Sequence, residues 1–162
     1  MEKTPHYDSY VEILKEELIP AMGCTEPIAI ALAAAKARDA LGRIPERCQA
    51  EVSGNIIKNV KSVIVPNTNG MKGIKAAAAV GIIAGDPDKE LQVIANVTAE
   101  QKAETERFLA TTPITVKHVN CQEQLDVTII EYKGEHRADV RISGFHTNIV
   151  TIQRDDEVLF RC

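Results

Sequence analysis

Apolar residues near the N-terminus recur at helical spacing. Val11, Leu14, Leu18 and Met22 stand at i, i+3, i+7 and i+11, with Glu12, Lys15 and Glu16 between them. One apolar stripe of this kind predicts a helix over about 9–22, distorted at its last turn by Pro20 and stopped by Gly23. Thr25 then offers an N-cap hydroxyl and Pro27 a first-turn residue for a second helix over 26–41, which Gly42 ends. Ala29, Ala31, Ala33, Ala34, Ala35 and Ala37 leave that helix apolar on nearly every side, so it is expected to be buried with close backbone approach.

The period changes at Arg47. Cys48, Ala50 and Val52 alternate with Gln49 and Glu51, which predicts a strand over 47–53, followed by a short helical turn over 55–59. A second short strand is expected over 61–65, closed by Pro66, and then a polar loop over 67–73. Small residues over 74–84 predict a further helix, ended by Gly85 and Asp86-Pro87. A helix over 88–97 is expected next. Thr98 and Gln101 form a capping-box signature for another, reaching about Ala110. Beyond Pro113 the pattern has period two, with strands predicted over 114–119, 125–132, 137–142, 148–153 and 157–160. Lys133-Gly134-Glu135 and Asp155-Asp156 are the hairpin connections. The fold class that follows is α+β: small-residue-rich helices packed on a mainly antiparallel sheet, in a single domain over 1–162.

Composition narrows the function. The chain has 162 residues, 44% apolar, with 19 basic and 23 acidic side chains. That is enough to bury a core, and the mixed, slightly acidic charge argues against a nucleic-acid surface. No apolar run approaches the roughly 20 residues that span a bilayer, so no membrane association and a cytoplasmic address are expected. The cysteines at 24, 48, 121 and 162 form no C-x-x-C pair and no local metal pattern.

Four groups carry candidate chemistry. Cys24 sits where one helix gives way to the next, and the positive end of the second helix favours its thiolate; the alternative is a small buried hydrophobe. The 67–73 loop, with Asn67, Thr68 and two glycines, suits a backbone nest for a carboxylate, or is a polar connector. Asn55, Lys58 and Asn59 share one helical face, as anchors for an amino acid's carboxylate or as caps. His146-Thr147-Asn148 follows a strand end, where His146 is the candidate base and Asn148 a candidate substrate contact, or where the histidine satisfies local backbone. Glu26 suits the helix dipole, a structural reason for its presence, or bonds a substrate ammonium. His6, His118 and His136 lack convergent partners. Cys48 reads as core, and Cys121 and Cys162 receive no role.

Gly23-Cys24-Thr25-Glu26-Pro27-Ile28-Ala29, 52–59, Val65-Pro66-Asn67-Thr68 and His146-Thr147-Asn148-Ile149 together resemble the L-cysteine desulfidase and L-serine dehydratase α-subunit-like family. The resemblance spans nearly the whole chain, but only the N-terminal part of such proteins. Phe145 stands where that family has a glycine. The resemblance implies an oxygen-sensitive [4Fe–4S] lyase of amino-acid degradation that eliminates the β-substituent of L-cysteine or L-serine to give pyruvate and ammonia. It makes Cys24 a ligand of cluster iron, the other ligands lying in a C-terminal half or separate subunit. The chain alone would then be inactive. Two other readings stand beside it: a non-catalytic module that binds small amino acids, and a protein reacting through the Cys24 thiolate. Small-residue helix faces left uncovered would favour a homo-oligomer.

Overall fold

A computed structural model of the chain describes residues 25–162. The helix predicted over 9–22 and Cys24 lie outside the described residues. Helix α1 spans Thr25–Leu41 and stops where the sequence places its stop, Gly42 adopting φ +83° and its N–H bonding the Arg38 carbonyl at 2.9 Å. Strand β1 (Arg47–Ser53) leads into the short helix α2 (Gly54–Val60). Helix α3 covers Gly73–Ala84 and α4 Ala99–Thr111. The capping box opens α4 with both bonds made, Gln101 N–H to Thr98 Oγ1 at 3.1 Å and Thr98 N–H to Gln101 Oε1 at 3.0 Å. Strands β2 (Ile114–Val119), β3 (Asp126–Lys133), β4 (His136–Ser143), β5 (Ile149–Arg154) and β6 (Glu157–Arg161) complete the chain.

The fold is α+β, built on one six-stranded sheet in the order β2-β1-β3-β4-β5-β6. Every neighbouring pair is antiparallel except β1–β2, where the chain crosses the sheet through α2, α3 and α4 before returning. Register fixes the inner face. Cys48, Ala50 and Val52 of β1 stand opposite Glu131, Ile129 and Val127 of β3, which in turn face Ala138, Val140 and Ile142 of β4. All nine are buried. Helix α1 lies across β3, β4 and β5 and packs along α3, which in turn borders α4. At Gly81 a Cβ would collide with the Ala31 backbone, its Cα at 2.7 Å and its carbonyl oxygen nearer still, so the two small-residue helices meet backbone to backbone.

Arg38 locks this contact. Its guanidinium donates to the carbonyls of Ile82 and Gly85, each at 2.9 Å, and less closely to Gly81 at 3.4 Å. The Ile82 and Gly85 carbonyls belong to the helix end, whose carbonyls lack intrahelical donors, whereas Gly81's already accepts the Gly85 N–H at 3.1 Å. Arg38→Leu is expected to lower unfolding free energy by about 2 kcal/mol, measured by chemical denaturation. A change below a few tenths of a kcal/mol would show that water satisfies those carbonyls equally well.

Two predicted elements are replaced by irregular chain. The segment 61–65 makes only an isolated bridge, Ile64 with Lys72. Val65 N–H bonds the Met71 carbonyl and Gly73 N–H the Val63 carbonyl, so the stretch closes a loop on itself instead of joining the sheet. The helix expected over 88–97 shrinks to a single 3-10 turn at Glu90–Gln92. Asp86 N–H takes the Val93 carbonyl and Glu90 adopts φ +48°, a loop closure that brings adjacent Val93 and Ile94 into the core and that a continuous helix does not permit. On the outer edge, Val158, Leu159 and Phe160 of β6 are exposed.

Candidate functional site

The register brings several chain ends to one rim of the sheet. Ser53 ends β1 beside Val119, the end of β2, while Asp126 at the start of β3 pairs with Ser143 at the end of β4. The 120–125 loop, the beginning of α2 and the loop after β4 therefore meet, and the first turn of α1 joins them. Hydrogen bonds hold the loops together. Ser53 Oγ donates to the Gln124 carbonyl at 2.6 Å and Gly144 N–H to the Leu125 carbonyl at 2.9 Å. Buried Asp126 accepts from Arg141 Nη2 at 2.6 Å, from Arg141 Nε at 3.2 Å and from Ser143 Oγ at 3.0 Å.

Between these elements lies a cleft of about 370 Å³, lined by Glu26, Asn55, Gln122, Glu123, Gln124, Leu125, Gly144 and His146. Its wall includes a hydroxyl–imidazole contact spanning most of the chain: Thr25 Oγ1 and His146 Nε2 are 2.8 Å apart. Thr25 was expected to cap α1. It instead forms the helix's first residue, and its hydroxyl is engaged by the histidine. Among the described residues the lining offers three amides, two carboxylates, one imidazole and one apolar side chain, with no lysine or arginine.

Of the residues the sequence nominates, the structure brings together Asn55, His146 and Glu26. The other nominated residues among those described do not line the cleft. Lys58 and Asn59 are exposed on α2 and do not line the cleft. Asn67 and Asn69 have φ near +59°, as a glycine-bearing loop suggests. Yet Asn67 Nδ2 donates to the Ile94 carbonyl at 2.9 Å, and buried Thr68 donates to the Val65 carbonyl at 2.7 Å while accepting Met71 N–H at 3.2 Å. Those side chains hold the loop. Asn148 Nδ2 donates to the Ser143 carbonyl at 2.8 Å and closes the loop that carries His146. His136 Nδ1 contacts Asp155 Oδ2 at 3.1 Å across the last hairpin, and the His118 ring lies close over Gly54.

Sequence reasoning missed Gln122, Glu123 and Gln124. The polar run from Asn120 to Gln124 gives a signal for them only once β2 and β3 are known to end beside α2. Glu131 was missed as well. It is fully buried, both carboxylate oxygens lack a hydrogen-bond partner, and burial drives its pKa well above 4.5 while Arg38 partly opposes the rise. A period-two reading of β3 puts Glu131 on the same face as Val127 and Ile129, so the signal was present.

Among the described residues no group of three or more histidine, cysteine or acidic side chains is placed to hold a metal ion. Cys48 is buried in β1, its thiol pKa raised by burial and by Glu131 opposite; Cys121 sits in the loop before β3 and Cys162 is exposed at the far edge.

Fold and site thus define an α+β unit with a polar cleft at one end of its sheet. In sequence the chain is similar to UPF0597 proteins. It is 52% identical to that of Desulfitobacterium hafniense strain Y51 over 155 residues, which is 96% of this chain and 36% of the relative. It is 49% identical to that of Lachnoclostridium phytofermentans over 154 residues, 95% of this chain and 37% of the relative. It is 45% identical to that of Treponema denticola over 163 residues, 99% of this chain and 37% of the relative. The chain therefore spans a little over a third of the length of the curated relatives it matches. No family model matches it, and no solved structure does. These similarities correct the resemblance to L-cysteine desulfidases and L-serine dehydratases: relatives matching nearly the whole chain carry the UPF0597 name, which states no lyase or iron–sulfur chemistry. Short blocks such as Gly-Cys-Thr-Glu-Pro weigh only a few positions, whereas these matches weigh nearly every one.

Proposed function

We propose that this chain is a ligand-binding part of a longer protein, and that its cleft takes a small polar amino acid of the size of L-serine or L-cysteine. The convergence of Asn55, Glu26 and the Thr25–His146 pair on one cleft carries this reading, because they come from three separated segments, and the side-chain bonds from Thr25 to His146 and from Ser53 to the Gln124 carbonyl hold the surrounding elements together. Ligand sites characteristically combine a concavity with a few convergent polar groups. The amides of Asn55, Gln122 and Gln124 offer neutral donors to a carboxylate, and the Glu26 carboxylate an acceptor for an ammonium. His146, paired with the Thr25 hydroxyl, adds an imidazole that a polar ligand could hydrogen-bond.

Two-dimensional amide NMR of the full chain, titrated with L-serine and with L-cysteine under reducing conditions, tests this. Saturable shifts are expected at Glu26, Asn55, Glu123 and His146, and His146→Ala or Asn55→Ala should weaken binding about tenfold. Shifts that grow linearly without saturating, or that scatter over the surface, would remove the reading.

A further inference from the structure

We infer that β6 is an interface between two copies of this chain: the two edge strands pair antiparallel about a two-fold axis at Leu159, and the two sheets become one. The edges of the sheet are unlike. At one edge β2 carries an exposed lysine, Lys117, a residue type that guards an edge against further pairing. At the other edge β6 is exposed along its whole length, yet its middle is Val158, Leu159 and Phe160, each 44% exposed. Phe160 stands beside Ile152 of β5, which packs on the core, so apolar surface continues from the core to the edge. Open backbone donors and acceptors flanked by apolar side chains are a template for another strand.

Charge says which strand fits. Glu157 and Arg161 bracket the apolar residues of β6, one at each end. Run antiparallel to itself, the segment puts Glu157 opposite Arg161 of the second copy, Val158 opposite Phe160, and Leu159 opposite Leu159. The two-fold axis makes each of the unlike pairs twice. Parallel pairing in register would align like charges, and a one-residue slip would set Glu157 against Phe160. Glu157 lies 3.9 Å from Arg154 in its own hairpin, but its side chain is 68% exposed and open to a second cation. Arg161 has no ion-pair partner among the described residues. The register shift between β5 and β6 passes over Leu159. It falls on the axis, so both strands carry the extra residue at the same point and their counts stay matched.

Sedimentation equilibrium of the full chain tests this. A strand of five residues makes a small interface, so the concentration series reaches about 1 mM. A reversible monomer–dimer equilibrium is expected. Glu157→Arg and Arg161→Glu should each raise its dissociation constant about tenfold, because each sets like charges opposite, and the double variant should restore the parent value. With Cys24, Cys121 and Cys162 changed to serine, Leu159→Cys should cross-link to its own copy on mild oxidation, whereas Val158→Cys, which faces Phe160, should not. A chain that stays monomeric would overturn the inference and leave the edge to another occupant, such as the further polypeptide of relatives matched over 36% of their length. A dimer indifferent to both charge reversals, or one that cross-links through Val158 and not Leu159, would overturn it equally.

Discussion

Replacing Glu131 with methionine is expected to stabilise the chain, and to stabilise it more at neutral than at acidic pH. The side chain is fully buried on the inner face of β3, with Cys48 of β1 on one side and Ala138 of β4 on the other. Neither carboxylate oxygen has a partner, and the nearby Arg38 guanidinium is occupied by the carbonyls at the end of α3. Such a carboxyl persists as the neutral acid, because ionisation without a bonded counter-charge in the core costs far more than in water. Burial therefore raises its pKa well above 4.5 in the folded chain, while the unfolded chain ionises near that value. Below 4.5 both states are protonated and the group adds no pH dependence. As pH rises further, only the unfolded state gains from ionisation. Stability then falls by about 1.4 kcal/mol per pH unit until the folded pKa is passed. The Cys48 thiol, also raised by burial, adds a similar loss only above its ordinary value of 9.0.

The measurement is urea denaturation from pH 4 to 8 of the parent chain, Glu131→Met and Glu131→Gln. Methionine matches the volume without a polar atom, so a gain of about 2–3 kcal/mol is expected at neutral pH. Glutamine keeps the buried polar group but cannot ionise. It should remove the pH slope while recovering less stability. A stability difference between parent and methionine variant that does not change across this range would mean that the carboxyl reaches water in solution.

Gly81→Ala is expected to have the opposite effect and a comparable size. On helix propensity alone the change favours folding by roughly 1 kcal/mol. Here the added methyl would enter the Ala31 backbone, with Cα at 2.7 Å and the carbonyl carbon at 2.8 Å, and a helix backbone cannot move aside as a side chain can. Helices α1 and α3 must separate, and α1 also covers β3, β4 and β5, so the displacement spreads through the core. A net loss of about 3 kcal/mol follows, visible as a lowered thermal midpoint and faster amide exchange in α1. A raised midpoint would show that the helices do not meet this closely. Ala79→Gly in the same helix is the control, since it costs propensity without a collision.

The parts of the fold legible in the sequence are those whose signals are local. Gly42 ends α1 because a left-handed residue is needed there, and Thr98 with Gln101 opens α4 because each satisfies the other's backbone donor. The strands from Ile114 onward follow from an alternation that can bury only one face. At 61–65 and 88–97 apolar residues fit a strand or helix pattern, but their backbone groups find partners across a loop.

Of the site, the sequence by itself picked out His146, Asn55 and Glu26 as polar groups near element ends, and set the α+β class through spacing and turn chemistry. Tertiary structure alone decided that these three share a cleft while Lys58, Asn59, Asn67 and Thr68 do not, and that Thr25 meets a histidine 121 positions away. The reason is physical: helical and strand periods act over a few residues, whereas strand order and register are settled by packing the whole sheet against α1 and α3. The same packing leaves Glu131 unpartnered in the core, since β1 presents a cysteine and β4 an alanine at the positions that would otherwise answer it.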